Sequence, residues 1–322
     1  MRYEFKSGFA ERLNKFIEQK KALGRSYACF DGYLVRFDNM CTARYPAETE
    51  LTREICMSWV VKNPTESNNT FRNRMSPIRE FARFLVRSGE NAYVIPANLV
   101  RKSPRYMPYI YTKEEIATVW KAYDALTPVP NSQARHLVLP AIIRLLYCCG
   151  LRPVEARRLK VADVDLASGR LFIRESKGHK DRIVMMSFDT TAYMRDYNQK
   201  MGGIFPQREP FFPSPCGIFC RGSWLNDNWQ TIRDNLKLSP VCGNLPRLYD
   251  FRHTFATHRL YEWMNEGKDL GAMLPYLSAY MGHAQLSDTY YYIHLVPGQF
   301  ENLSGFDFTH YETLLPEVEC DE

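Results

Sequence analysis

Arginine, lysine, histidine and tyrosine are the residues whose placement in this sequence suggests chemistry. Arg152 stands in Gly150-Leu-Arg152-Pro153-Val-Glu155, where Gly150 can close one helix and Pro153 suits the first turn of the next. A helix start offers free N–H groups to anions, so an arginine at that junction makes sense as half of a phosphate clamp, although alone it also fits an ordinary surface position. Arg252 and His253 lie in Tyr249-Asp-Phe-Arg252-His253-Thr-Phe-Ala, which opens an amphipathic pattern running through Leu260 and Trp263. There Arg252 could equally brace the helix, and His253 and His258 are most simply packing residues. Gly282-His283 precedes Tyr290-Tyr291-Tyr292-Ile-His294. A free tyrosine titrates near about 10 and attacks poorly unless cations stabilise its phenolate, and cations are what the other stretches supply. Three adjacent tyrosines also suit plain aromatic packing.

Several other chemistries are missing. The chain contains no G-x-x-x-x-G-K-[ST] loop, no G-x-G-x-x-G, no H-E-x-x-H and no G-x-S-x-G. Its nine cysteines are odd in number, include the adjacent Cys148 and Cys149, and form no C-x-x-C pair, which favours free thiols in a reducing compartment over a disulfide framework. Cys216 and Cys220 give only a weak zinc signal, because no second pair completes four ligands. The sequence therefore predicts no metal and no cofactor.

Charge points to a polyanion. The net charge is +6, but residues 301–322 hold seven acidic side chains and no Lys or Arg, and without those seven negative charges the net becomes +13. The surplus is +8 over residues 1–110 and +5 over 111–300, so both halves could face nucleic acid, as a solvated basic surface also would. The longest apolar run, Leu137 to Cys149, is interrupted by Arg144 and is too short to span a bilayer, and Glu4 and Lys6 sit where a signal peptide would be apolar. These features predict a soluble cytoplasmic protein without a membrane partner.

With 322 residues, 45% hydrophobic and 24% charged, the chain is long enough for two domains. Phe5, Phe9, Leu13, Phe16 and Ile17 predict a first helix ending near Gly24, and Ser26 caps a second that carries Phe30, Tyr33, Leu34 and Phe37. A third runs from about Thr52 to Val61, and a fourth aligns Phe71, Met75, Ile78, Phe81 and Leu85. The fourth also repeats Arg72, Arg79, Arg83 and Arg87 on one side, expected to be a phosphate-facing stripe or else an ordinary wet face. Residues 97–112 read as an extended basic linker with Arg101, Lys102 and Arg105, closed by the capping box Thr112-x-x-Glu115 that starts a new helix. Beyond it the pattern is mostly helical, except that Arg170–Arg174 and Arg182–Met186 predict a β-hairpin whose loop carries Lys177 and Lys180.

The order Gly150-Leu-Arg152-Pro-Val-Glu155, Ser176-Lys177-Gly-His-Lys180-Asp-Arg182, Tyr249-Asp-Phe-Arg252-His-Thr-Phe-Ala, Gly282-His283 and Tyr292-Ile-His294 resembles that of the tyrosine recombinases, the phage-integrase family. The resemblance extends over nearly the whole chain, since the linker ending in Thr112-Lys-Glu-Glu115 resembles that family's junction between core-binding and catalytic domains. It implies a mainly α fold with a small antiparallel β-hairpin or sheet: a SAM-like helical core-binding domain over 1–96, the linker 97–112, a DNA breaking-rejoining catalytic domain over 113–300, and an acidic tail over 301–322 that docks on a neighbouring protomer or else packs on its own domain or is disordered.

The resemblance also implies roles. Arg152 and Arg252 would grip the scissile phosphate, Lys177 would protonate the leaving 5′ oxygen (Lys180 if the loop register differs), His283 would hydrogen-bond the phosphate, and Tyr292 would attack it, with Tyr290 and Tyr291 as rivals. Glu155 would brace Arg152 or the hairpin, or simply lie exposed. The implied function is site-specific recombination or integration through a 3′-phosphotyrosyl intermediate, without metal or ATP, by a homotetramer on duplex DNA working with accessory recombinases in a mobile element. A type IB topoisomerase-like relaxase and a DNA-binding accessory subunit without chemistry are the alternatives. One position departs from the family pattern: Tyr249 stands where most members have histidine. Neutral tyrosine donates a hydrogen bond but is a poor base, so Tyr249 is expected only to orient phosphate, or else merely to pack, with water or His283 taking the nucleophile's proton and Tyr249→Phe retaining measurable cleavage.

Overall fold

The computed structural model describes residues 4–24, 28–100, 106–174, 181–238, 240 and 244–293, with the side chains of 28–31 excepted. The chain divides into two compact units, Met1–Arg105 and Tyr106–Glu322.

The first unit contains four helices, α1 (Ala10–Ala22), α2 (Ala28–Arg44), α3 (Arg53–Trp59) and α4 (Asn68–Arg87). Phe9, Leu13, Phe16, Leu34, Phe37, Ile55, Phe71, Ile78, Phe81 and Leu85 form their shared core. Helix α1 starts five residues after Phe5 because Asp38 captures the chain first: its carboxylate accepts from the backbone N–H groups of Lys6 at 2.8 Å and Ser7 at 3.0 Å. Thr52 caps α3 and Ser67 caps α4, each accepting a backbone N–H three residues on. Ser26 lies outside the described residues.

The arginines along α4 are not a uniform stripe. Arg79 donates through Nε to the Ile95 carbonyl at 2.7 Å and through Nη2 to that of Pro96 at 2.9 Å, Arg83 pairs with Glu80 at 2.9 Å, and Arg87 donates to the Arg83 carbonyl at 3.1 Å. Arg79 thus anchors the segment that follows α4, while the paired Arg83 keeps half its side chain in water.

The second unit has eight α-helices among its described residues: α5 (Lys113–Asp124), α6 (Arg135–Cys148), α7 (Pro153–Arg158), α8 (Phe188–Ile204), α9 (Gly222–Leu236), α10 (Asp250–Asn265), α11 (Leu270–Met281) and α12 (Ser287–Tyr290). Thr112 and Glu115 form the expected reciprocal capping box at α5. The run Leu137–Cys149 belongs mostly to α6, a central helix packed by α5, α8 and α10 with Val138 to Ile143 buried throughout. No helix among the described residues is long and apolar enough to cross a membrane.

A three-stranded antiparallel sheet follows α7, with β1 (Val164–Asp165), β2 (Arg170–Ile173) and β3 (Arg182–Met185) in sequential order. Leu171 faces Val184 across β2 and β3 and Val164 across β1 and β2, which puts two fully buried side chains, Leu171 and Val184, on the core side. The hairpin matches the sequence expectation, and the two-residue β1 was too short to leave a pattern. Lys177 and Lys180 lie outside the described residues, as do Arg101, Lys102, Arg105 and the tail 301–322. Cys41, Cys56, Cys148, Cys149, Cys216 and Cys220 are free thiols. Cys220 points its thiol at the Phe212 carbonyl, and no group of three potential metal ligands exists among the described residues.

Candidate active site

The site begins at the break between α6 and α7. Gly150 adopts φ +58°, where a side chain would meet the Phe255 ring at 2.4 Å, so glycine is required both by conformation and by space. That bend places Arg152 at the N-cap of α7 with Pro153 as its first residue. One turn on, Glu155 accepts from the Arg152 backbone N–H at 2.9 Å and from Arg152 Nη1 at 2.7 Å. Arg152 Nη2 donates to the Gly282 carbonyl at 3.0 Å, linking α7 to the end of α11.

The same carboxylate holds a second arginine. Arg182, the first residue of β3, donates Nη1 to Glu155 Oε1 and Nη2 to Oε2, both at 2.9 Å, and Nε to the Tyr280 carbonyl at 2.9 Å. Glu155 therefore braces Arg152 and the sheet together, and it is buried rather than exposed. Gly282 closes α11 at φ +66°, and a Cβ there would sit 3.0 Å from the Arg182 guanidinium.

Arg252 lies in the first turn of α10 with no solvent exposure. Its Nη1 donates to the Gly150 carbonyl at 2.7 Å and Nη2 to that of Met281 at 2.6 Å, while Nε has no hydrogen-bond partner among the described residues. Burial and the neighbouring Arg152 charge lower its pKa from the usual arginine value, yet a guanidinium remains cationic at any physiological pH. Two glycine-turn segments, 150 and 281–282, thus offer carbonyls that fix both arginines.

Tyr292 is 3% exposed and belongs to a small core with Phe255, Leu260, Leu274, Leu277 and Met281. Burial pushes its phenol up to about 12, against the opposing pull of the Arg252 charge. The three tyrosines do not continue a helix: α12 ends at Tyr290, and Tyr291 turns its hydroxyl to the Tyr106 carbonyl at 3.1 Å. It is this turn, rather than helical phase, that sets Tyr292 apart from its neighbours.

His283 follows Gly282 and bonds Thr289 Oγ1 through Nδ1 at 2.7 Å, with its ring stacked on Tyr292 at 5.9 Å between centroids. Burial, then the charges of Arg252, Arg152 and Arg182, depress its pKa to about 3, so it is a neutral imidazole at physiological pH. Tyr249 is 38% exposed and its hydroxyl is within hydrogen-bonding reach of the Arg152 guanidinium. His253, one turn along α10, has its ring centroid 5.1 Å from that of Tyr249, 5.5 Å from that of Tyr292 and 6.1 Å from that of Tyr291.

Of the residues expected at the site, Arg152, Glu155, Tyr249, Arg252, His283 and Tyr292 come together, while Lys177 and Lys180 lie outside the described residues. Arg182 was in view in the sequence but carried no role, and nothing in the alternation of a four-residue strand marks it as a partner of Glu155. Thr289 carried no expectation, and His253, expected as a packing residue, lies against Tyr249, Tyr291 and Tyr292. His258 is a packing histidine as expected, bonded to the Tyr147 hydroxyl at 3.0 Å. Beside Arg152 and Glu155 opens a cleft of about 630 Å³ with Arg157, Arg158, Lys160 and Arg174 in its walls. Asp163 neutralises Arg174 there at 2.6 Å and Glu209 neutralises Lys160 at 2.9 Å.

Comparison with known proteins places this arrangement in context. Residues 112–298 match the model of the phage integrase family. A Sinorhizobium fredii protein, y4rB, named only provisionally as an integrase/recombinase, is 29% identical over 296 residues, covering 89% of this chain and 93% of its own. The tyrosine recombinase XerC of Oceanobacillus iheyensis is 28% identical over 232 residues, 71% of each chain. Among solved structures, a lambda integrase fragment bound as a dimer to a core site aligns with a TM-score of 0.63 at 14% identity, over 97% of this chain and 99% of that one. The fold is therefore shared with that integrase.

Proposed function

The chain belongs to the phage integrase family and is a tyrosine recombinase, and from that premise we propose that it cuts and rejoins duplex DNA at a specific site through Tyr292. The phenol oxygen attacks the scissile phosphorus, the P–O5′ bond breaks, and the product is a 3′-phosphotyrosyl DNA with a free 5′-OH. Because the phosphoester energy stays in that bond, a second 5′-OH reverses the step without ATP. The chemistry asks the protein for positioning and for charge around the nonbridging oxygens, which guanidinium forks supply without a metal ion.

In this reading Arg152 and Arg252 bind the phosphate, Tyr249 orients it beside Arg152, and neutral His283 hydrogen-bonds it through the nitrogen not engaged by Thr289. Lys177, between β2 and β3 in sequence, protonates the leaving O5′, with Lys180 as its alternate. The observation supporting the reading is the convergence of Arg152, Arg252 and His283 on the one buried tyrosine, Tyr292, among three in sequence. Residues 1–96 act as the core-binding domain, with Arg72, Arg83 and Arg87 toward phosphates; 97–112 as a basic linker carrying Arg101, Lys102 and Arg105; and 113–300 as the catalytic domain. The lambda integrase structure was determined as a dimer on its core site. Here a tetramer on a recombination site, coupled by the tail 301–322, is the expected assembly.

Covalent trapping tests this directly. The full chain is incubated with a nicked suicide duplex recovered from a random-sequence pool by binding to Tyr292→Phe. An adduct that maps to Tyr292 and vanishes in Tyr292→Phe is the expected result; specific binding with no adduct would leave a DNA-binding accessory subunit. Relaxation of a plasmid that lacks the selected site would indicate a relaxase instead.

A further inference from the structure

Tyr292 must lose a proton as it attacks, and the surroundings of its ring narrow what can take it. Tyr249 turns its hydroxyl to Arg152 and is itself a phenol. His283 lies nearly parallel to Tyr292, at 15° between ring planes, and commits Nδ1 to Thr289. Arg252 is a permanent cation. Among the described residues, the remaining basic group against Tyr292 is His253, whose ring is inclined at 50° to the tyrosine with centroids 5.5 Å apart. It is carried on the same helix as Arg252, one residue on, so the cation whose charge acts on the phenol and the imidazole beside it move as one body.

We propose that His253 accepts the Tyr292 proton during strand cleavage and returns it during rejoining, standing in for the histidine that Tyr249 replaces. This rests on Tyr292 being the nucleophile. In the forward step the Oη–H bond breaks and its proton passes to His253, the Oη–P bond forms, the P–O5′ bond breaks, and O5′ takes a proton from Lys177. The reverse step runs each transfer backwards, so no oxidant, reductant or further reactant enters. The groups facing His253 are Tyr249 from its own helix, Tyr291 and Tyr292 from the segment after α12, and His283 from the end of α11. Of these, His283 is a neutral imidazole at physiological pH, and the permanent cations acting on Tyr292 are Arg252 and Arg152.

The test is single-turnover cleavage of the selected suicide duplex by the full chain and by His253→Gln, from pH 5.5 to 9.5, with duplex affinity measured in parallel. Loss of a general base slows a reaction by about 10²-fold or more. His253→Gln is therefore expected to bind DNA normally, to cleave about 100-fold more slowly at pH 7, and to lose the rise and plateau of an imidazole in favour of a rate that still climbs at pH 9.5. Placing 3-fluorotyrosine at position 292, whose phenol is more acidic, should restore His253→Gln selectively, which a packing role would not produce. Should His253→Gln bind poorly or fold badly, His253→Ala with added imidazole gives the same comparison, rescue being expected. An unchanged rate and pH profile in His253→Gln, or a defect that neither fluorotyrosine nor imidazole relieves, overturns the proposal while leaving Tyr292 as nucleophile. Absence of any adduct in the unmodified chain overturns the underlying reading, and this inference with it.

Discussion

Glu155 meets two guanidinium groups with one buried carboxylate, accepting from Arg152 and from both terminal nitrogens of Arg182. Removing it would leave two cations with little solvent between β3 and α7, and breaking a buried pair in this way costs about 3–5 kcal/mol. Glu155→Ala is accordingly expected to lower the urea midpoint strongly, and Glu155→Gln, which keeps the shape and one accepting oxygen, to lower it less while slowing cleavage about tenfold, one hydrogen bond's worth of misplacement at Arg152. A midpoint unchanged in Glu155→Ala would remove the brace from the account.

His283 gives the pH dependence. Its folded pKa, about 3, lies below the 6.5 of a free imidazole because burial and three arginines oppose its charge. Between those values the unfolded chain binds the extra proton, so this group's stability is fully present above about pH 6.5 and is lost as pH falls toward 3, by up to about 1.4 kcal/mol per pH unit. Urea unfolding at pH 7.5 and pH 5 should therefore show a loss that is smaller in His283→Gln; equal losses in the two proteins would assign it to other groups.

Among the elements, the turn at Gly150 connects sequence to site most directly, because its carbonyl holds Arg252 and its missing side chain admits Phe255. Gly150→Ala forces a Cβ into a left-handed backbone and onto an aromatic ring, effects worth about 1–2 and about 1–3 kcal/mol. The expected result is a loss of several kcal/mol in unfolding experiments, with Phe255→Ala in the same chain recovering the steric part only. Full additivity of the two substitutions would mean that the contact is not what opposes alanine.

How far the elements could be read from sequence follows from what left a local pattern. The Thr112–Glu115 box, the apolar faces of the first, second and fourth helices and the β2–β3 hairpin each rest on short-range spacing, and each is present. Gly150, Arg152 and Pro153 likewise signalled a helix break that exists. What the sequence left open depended on distant partners: Asp38 capturing residues 6 and 7, Arg79 turning to the carbonyls of 95 and 96, and Arg182 meeting Glu155. Tyr292 is intermediate. Spacing singled it out through family resemblance, but the physical reason it differs from Tyr291 is a hydrogen bond to Tyr106, nearly two hundred residues earlier in the chain.

At the scale of the whole molecule, charge and the proposed assembly make separable demands on the tail. Residues 301–322 contain seven acidic side chains, with no Lys or Arg, against a net charge of +6. Interspersed among them are Leu303, Phe306, Phe308, Tyr311, Leu314 and Leu315, an apolar content suited to docking on a protein surface. Ending the chain at residue 300 raises the net charge to +13, so non-specific duplex binding should tighten at low salt. That difference should fade as ionic strength rises, because the screening length falls from about 30 Å at 0.01 M to about 10 Å at 0.1 M. Docking between protomers would behave otherwise. If the apolar side chains of the tail hold neighbouring subunits, truncation should weaken synapsis and the cooperativity of cleavage at every salt concentration, including those where the affinity difference has vanished. Measuring affinity and cooperativity on the same selected duplex across a salt series separates the two. A truncated chain that gains affinity at low salt while cleaving with unchanged cooperativity would reduce the tail to an electrostatic brake on DNA binding.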